Sequence, residues 1–105
     1  MQPERHRARR YPFQANLELT DVQSETQTRE RTSDLSLFGC HVETMKPLAP
    51  GTKITIKIAH AGASFRALGR VAYARPGVGM GIFFTDIQPN DQLILEKWIA
   101  ELRKK

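Results

Sequence analysis

From Phe13 the chain alternates. Phe13, Ala15, Leu17 and Leu19 are apolar, while Gln14, Asn16, Glu18 and Thr20 between them are polar. A period of two sustained in this way predicts a half-buried strand. The polar run "DVQSETQTRERTS" follows, read as a hairpin turn and a second, exposed strand ending near Thr32. "LFGCHVE" predicts a strand after a bend at Gly39, and "KPLAPG" a loop. In "TKITIKIAH", Ile54, Ile56 and Ile58 share one face, and Lys53, Thr55 and Lys57 the other. "AGAS" marks a turn, "FRALGRVAYA" a strand bent at Gly69, "RPG" a turn and "VGMGIFFT" the last strand.

The period then changes. Leu95, Trp98, Ile99 and Leu102 fall at i, i+3, i+4 and i+7, which is one face of an amphipathic helix over about residues 90–103. Asn90 or Asp91 is placed to cap it, and basic residues gather at its C-terminus, where they suit the helix dipole. About six short strands followed by one helix predict a mainly β fold: a small six-stranded antiparallel barrel with a C-terminal α-helix.

The 105 residues suit a single domain, and the 40 % hydrophobic and 26 % charged composition is that of a globular protein. No apolar run is long enough to span a bilayer, and the charged first ten residues do not read as a signal peptide, so a cytoplasmic location is expected. Cys40 is the one cysteine, which excludes an internal disulfide or a cysteine-based metal cluster.

Charge sharpens this picture. The net charge is +5, and residues 1–10 hold Arg5, Arg7, Arg9 and Arg10 against Glu4 alone. The chain therefore divides into a flexible basic arm, residues 1–12, and one barrel domain, residues 13–105. Such an arm points to an anionic partner. Single-stranded nucleic acid is disfavoured, because the exposed strand positions are mostly Lys, Thr, Gln and Glu rather than stacking aromatics.

Catalytic signals are weak. There is no phosphate-binding Gly-rich loop and no His-Glu-x-x-His pair. His6, His41 and His60 lie in different segments. Cys40 and His41 are adjacent on a strand, so their side chains should point to opposite faces. A non-enzymatic binding protein that needs no cofactor and no metal is the expectation.

Two stretches stand apart. Arg5 and Arg9 make an Arg-x-x-x-Arg spacing with Arg10 directly after, and Asp34, Ser36 and Gly39 make Asp-x-Ser-x-x-Gly. In this order, within a small barrel that ends in a helix, they resemble the PilZ domain family, as does "GRVAYARPGVGMGIFF". The resemblance implies a receptor for the bacterial second messenger cyclic di-GMP. It implies contacts from Arg5, Arg9, Arg10, Asp34, Ser36 and Gly39, with Tyr73 as a stacking face and a protein partner downstream. In the family the second motif arginine usually directly precedes an apolar–Pro–apolar strand start. "RYPF" puts Arg10 there, and four residues before it stands His6 rather than arginine.

The residue types suit that chemistry. A guanidinium fork matches phosphate oxygens, or guanine O6 and N7, bidentately. An ionised Asp34 accepts guanine N–H groups or holds an arginine, and Ser36 can donate to a phosphate or base. Gly39 lets backbone approach a ligand closely. The alternatives are that Asp34 and Ser36 only cap a turn, and that Tyr73 belongs to the core.

Overall fold

The computed structural model describes residues 9–104. Seven strands lie in chain order: β1 Tyr11–Pro12, β2 Asn16–Asp21, β3 Thr26–Leu35, β4 Gly39–Glu43, β5 Lys53–His60, β6 Ala63–Arg75 and β7 Gly79–Asp86. One helix follows, α1 Pro89–Arg103. The sheet order is β1-β3-β2-β5-β6-β7-β4, every pairing is antiparallel, and a β3–β4 ladder joins the ends. Strands β2 to β7 thus form a closed six-stranded barrel, with β1 as a short extra strand on β3.

The alternating residues fill the barrel. Leu17 and Leu19 from β2 and Ile54, Ile56 and Ile58 from β5 are all buried. Each such side chain removed from water stabilises the fold by about 1.5–3 kcal/mol. The face of α1 carrying Leu95, Trp98 and Ile99 is buried as well. Trp98 meets Phe13, His60 and Phe65, with ring centroids 5.5, 5.3 and 6.3 Å away. Helix and chain start therefore share one aromatic cluster.

Four details differ from the sequence pattern. Residues 13–15 alternate but are not regular strand: Phe13 and Ala15 each keep one backbone bond to β3, and the buried side chain of Thr32 bridges the remaining groups. Its hydroxyl donates to the Phe13 carbonyl and accepts from the Ala15 N–H. Ordered β-structure instead begins earlier, at Tyr11–Pro12, which pairs with Leu35 and Asp34. Strand β3 runs past Thr32 to Leu35, since β4 pairs it on one side and β1 on the other. At the helix start, neither Asn90 nor Asp91 is the cap. Gln88 holds that position without a side-chain cap bond, Pro89 opens the helix, and Asp91 accepts the Arg66 N–H at 2.8 Å instead.

Strand β6 bends as expected near Gly69, at a register shift between Leu68 and Gly69. A second shift lies between Val71 and Tyr73. By simple alternation Tyr73 would share the inward face of Val71. The bulge turns it out, so Val71 is buried and Tyr73 is exposed.

Candidate ligand-binding site

The root of the basic arm is fixed on the barrel. Phe13 is buried and donates its N–H to the Ser33 carbonyl at 3.1 Å. Two residues earlier, β1 lies beside the end of β3. That geometry delivers Arg10 to Asp34. The Arg10 guanidinium donates from Nε to Oδ2 at 3.1 Å and from Nη2 to Oδ1 at 2.9 Å, a bidentate fork. The hydrogen bond to Asp34 is the largest influence raising the Arg10 pKa above its ordinary value, against a smaller opposing effect of burial. Oδ1 of Asp34 also accepts the His41 backbone N–H at 2.9 Å.

Arg9 points elsewhere, as neighbours in extended chain must. Its guanidinium lies 5.5 Å from the centroid of the Tyr11 ring. Arg9 and Arg10, with Tyr11, Pro12, Leu102 and Arg103, line a shallow cleft of about 360 Å³ where the arm meets the end of α1. Arg5 lies outside the described residues.

Asp34 stands in a row across the outer wall of the barrel. The partners are Pro12 with Asp34, Asp34 with His41, His41 with Gly81, and Gly81 with Tyr73. Directly paired residues share a face of a sheet, so this row crosses five strands on one surface. His41 joins it although the sequence assigned it no role. The signal was present: alternation turns Cys40 inward, fully buried, and His41 outward. Burial pushes the Cys40 thiol up to about 12, which leaves it a protonated core residue at neutral pH.

Ser36 and Gly39 do not stand in the row. The Ser36 side chain is buried, accepts the N–H groups of Phe38 and Gly39 at 3.1 Å each, and contacts the Gly39 carbonyl at 3.3 Å. It builds the tight connection that carries β3 into β4. A Cβ on Gly39 would collide with the Ile82 carbonyl oxygen, so glycine is required for β4 to lie close to β7. Together the two residues fix the distance between Asp34 and His41.

Tyr73 stands at the far end of the row, beneath Arg75, whose guanidinium lies 5.5 Å from its ring centroid. The surface therefore has an acid–arginine pair at one end and a ring–arginine pair at the other. It offers guanidinium forks for phosphate or guanine and a flat face for a base. A concavity of about 660 Å³ lies away from the row over β2, β3 and β5. Its lining balances Glu18, Glu30 and Glu43 against Arg29, Arg31 and Lys57 in charge, so it carries no net preference for an anion. Among the described residues no cluster of His, Cys, Asp or Glu could hold a metal ion. No helix is long and apolar enough to cross a membrane, again among the described residues.

The model of the PilZ domain matches residues 4–101. A search of curated proteins finds no match. Among solved structures, the PilZ domain of CeSA from a cellulose-synthesizing bacterium is 22% identical. The alignment covers 90% of this chain and 98% of that one, with a TM-score of 0.71. The PilZ domain of YcgR from Escherichia coli, solved with c-di-GMP, is 19% identical over 93% of this chain and 91% of that one, with a TM-score of 0.72. The Bacillus subtilis inhibitor of motility MotI/DgrA is 15% identical over 93% of this chain and 51% of that one, with a TM-score of 0.71. At these identities the structures establish the fold, and the family model, which spans nearly the whole chain, establishes the kinship: this chain belongs to the PilZ domain family.

Proposed function

We propose that this chain is a non-enzymatic receptor for cyclic di-GMP. One observation carries the reading. The two sequence motifs, far apart in the chain, meet where Arg10 grips Asp34, at the head of a row that ends on an exposed tyrosine. Family membership supplies the ligand class, and the E. coli relative was solved with that ligand.

In this reading the ligand lies along the row. Phosphate or guanine oxygens meet the guanidinium group of Arg10, while Arg9, beside the row, and Arg5, farther out in the arm, reach the ligand from the arm side. Asp34 holds Arg10 in place or accepts guanine N–H groups. Tyr73 offers a stacking face. Ser36 and Gly39 contribute through the loop that sets the Asp34–His41 spacing. The ligand thereby ties residues 1–10 to the barrel wall, and the surface so formed is what a protein partner reads. Binding is the whole of the chemistry, in the cytoplasm of a bacterium.

A second reading keeps the fold and removes the nucleotide: an adaptor that works through protein contacts alone. It is favoured by His6 at the position four before Arg10, and by an Arg10–Asp34 pair already satisfied within the chain. Calorimetric titration with cyclic di-GMP separates the two. Saturable binding of stoichiometric ligand supports the receptor, and no heat across the titration supports the adaptor.

A further inference from the structure

Two side chains lie on glycines. The Tyr73 ring covers Gly81: a Cβ there would overlap Cε2, and would stand 2.6 Å from Cζ and 2.8 Å from Cδ2. The His41 ring lies against Gly79, where a Cβ would overlap the Val42 carbonyl oxygen and stand 2.8 Å from Cε1 and 3.2 Å from Nε2 of that ring. The "GMG" segment of β7 thus lacks side chains at two positions, with the Tyr73 ring over Gly81 and the His41 ring beside Gly79. The two centroids are 6.1 Å apart and the planes differ by 30°, so the rings form one nearly continuous floor. Tyr73 is 40% exposed, a large share for an aromatic ring on a sheet. His41 is anchored by Nδ1, which lies 2.9 Å from the Ser33 hydroxyl, and by its backbone bond to Asp34. Its orientation is therefore fixed from the Asp34 side, while Tyr73 is positioned by the bulge in β6.

We infer that His41 is a ligand-contact residue: with Tyr73 it forms a two-ring platform on which a guanine base of the nucleotide stacks. This rests on the cyclic di-GMP reading above and adds a residue outside its two sequence motifs. A flat, preformed and partly exposed aromatic surface suits a purine plane, because every base has a π-face and no rotamer must be newly fixed. The neighbouring cations suit the rest of the ligand. Arg75 covers Tyr73 through an exposed contact of the weak kind, and the incoming base displaces it toward the rim, where it faces phosphate or base oxygens. Arg10 holds the opposite side through Asp34. The floor explains the glycine at position 81, whose missing side chain leaves room for the Tyr73 ring alone, whereas Gly79 is demanded by the Val42 carbonyl of β4 as well.

The test is titration of cyclic di-GMP into the full chain, its His41→Ala variant and its His41→Phe variant, with proton NMR of the histidine ring in the unsubstituted chain. Stacking predicts an affinity loss of about 5- to 150-fold in His41→Ala, the range for one base–ring contact. It predicts that His41→Phe recovers most of that loss, since a flat ring is restored without the imidazole nitrogens. It also predicts an upfield shift of the His41 ring protons on saturation. Circular dichroism and melting of both variants check that the barrel is intact. Unchanged affinity in a folded His41→Ala, or ring protons that do not move in the saturated chain, overturns the platform while leaving the receptor reading in place. Absence of binding by the unsubstituted chain overturns both.

Discussion

Asp34 holds Arg10 by two hydrogen bonds, at 2.9 and 3.1 Å, and so ties the chain start to the β3–β4 connection. The pair is open to water, with side chains 46% and 28% exposed. Exposed ion pairs stabilise a fold by only about 0–1 kcal/mol. A ligand can therefore compete for the guanidinium at small cost to the barrel, and the same pair presents the fork in a geometry fixed by β1.

Stability and affinity should separate at this residue. Arg10→Ala is expected to lower unfolding stability by no more than about 1 kcal/mol. It should weaken cyclic di-GMP binding by about 1–3 kcal/mol, the worth of a charge-assisted hydrogen bond. Arg9→Ala should cost less affinity, because Arg9 faces Tyr11 rather than the row. Urea unfolding and calorimetry on both variants at one salt concentration check this. A larger loss in Arg9→Ala would instead make Arg5 and Arg9 the working pair.

Asp34 and Ser36 should differ in kind. Asp34→Ala is expected to weaken ligand binding with the fold intact. Ser36→Ala removes the acceptor for two backbone N–H groups in a buried turn. A buried donor left unsatisfied costs about 1–3 kcal/mol, so Ser36→Ala should show first as a lower melting temperature. Thermal melts and titrations of the two variants, compared side by side, check the assignment. Equal melting temperatures with equal affinity losses would place Ser36 in direct contact with ligand.

The arm should report ligand by protease. Cleavage by trypsin after Arg5, Arg7, Arg9 and Arg10 is expected to slow when cyclic di-GMP is saturating. Mass spectrometry of timed digests measures it. Equal rates with and without ligand would remove the arm from the mechanism while leaving binding itself untouched.

A methyl group on Gly81 should act through Tyr73. Gly81→Ala forces the ring off the barrel wall, because the new Cβ would occupy the position of its edge. Affinity should fall to about that of Tyr73→Ala, and the double variant should lose little more, since both changes remove one contact. Titration of the three variants completes the cycle. Additive losses would mean that the glycine and the ring act separately.

Cys40 should leave a mark on the pH dependence of stability. Burial raises its pKa from 9.0 to about 12, so the folded chain keeps a proton that the unfolded chain gives up. The contribution is complete below about pH 9 and declines above it by about 1.4 kcal/mol per pH unit, until the folded thiol ionises as well. Cys40→Ala should remove that part of the slope in urea unfolding series taken on both sides of pH 9. The thiol should also resist alkylation in the folded chain and react on unfolding. An unaltered slope in Cys40→Ala would show that the decline comes from other groups.

Much of this protein was written in its local pattern. Alternation in Leu17–Leu19 and Ile54–Ile58 and the helical spacing of Leu95, Trp98, Ile99 and Leu102 determined the strands, the helix and their inward faces, because burial of one apolar face outweighs other local preferences. The spacing of Asp34, Ser36 and Gly39 behind an arginine-rich start marked the family. Tertiary structure decided the rest. Thr32 interrupted regular strand pairing at residues 13–15 with side-chain bonds set among the backbone ones, and double-sided pairing carried β3 on to Leu35. Ser36 turned inward to the loop while Asp34 stayed on the surface. The bulge after Val71 reversed the parity that would have buried Tyr73, and cross-strand register placed Gly81 beneath its ring and His41 beside it. Register and bulges depend on which strands meet across the closed barrel, and residues far apart in sequence, such as the paired His41 and Gly81, acquire their relation only once it closes.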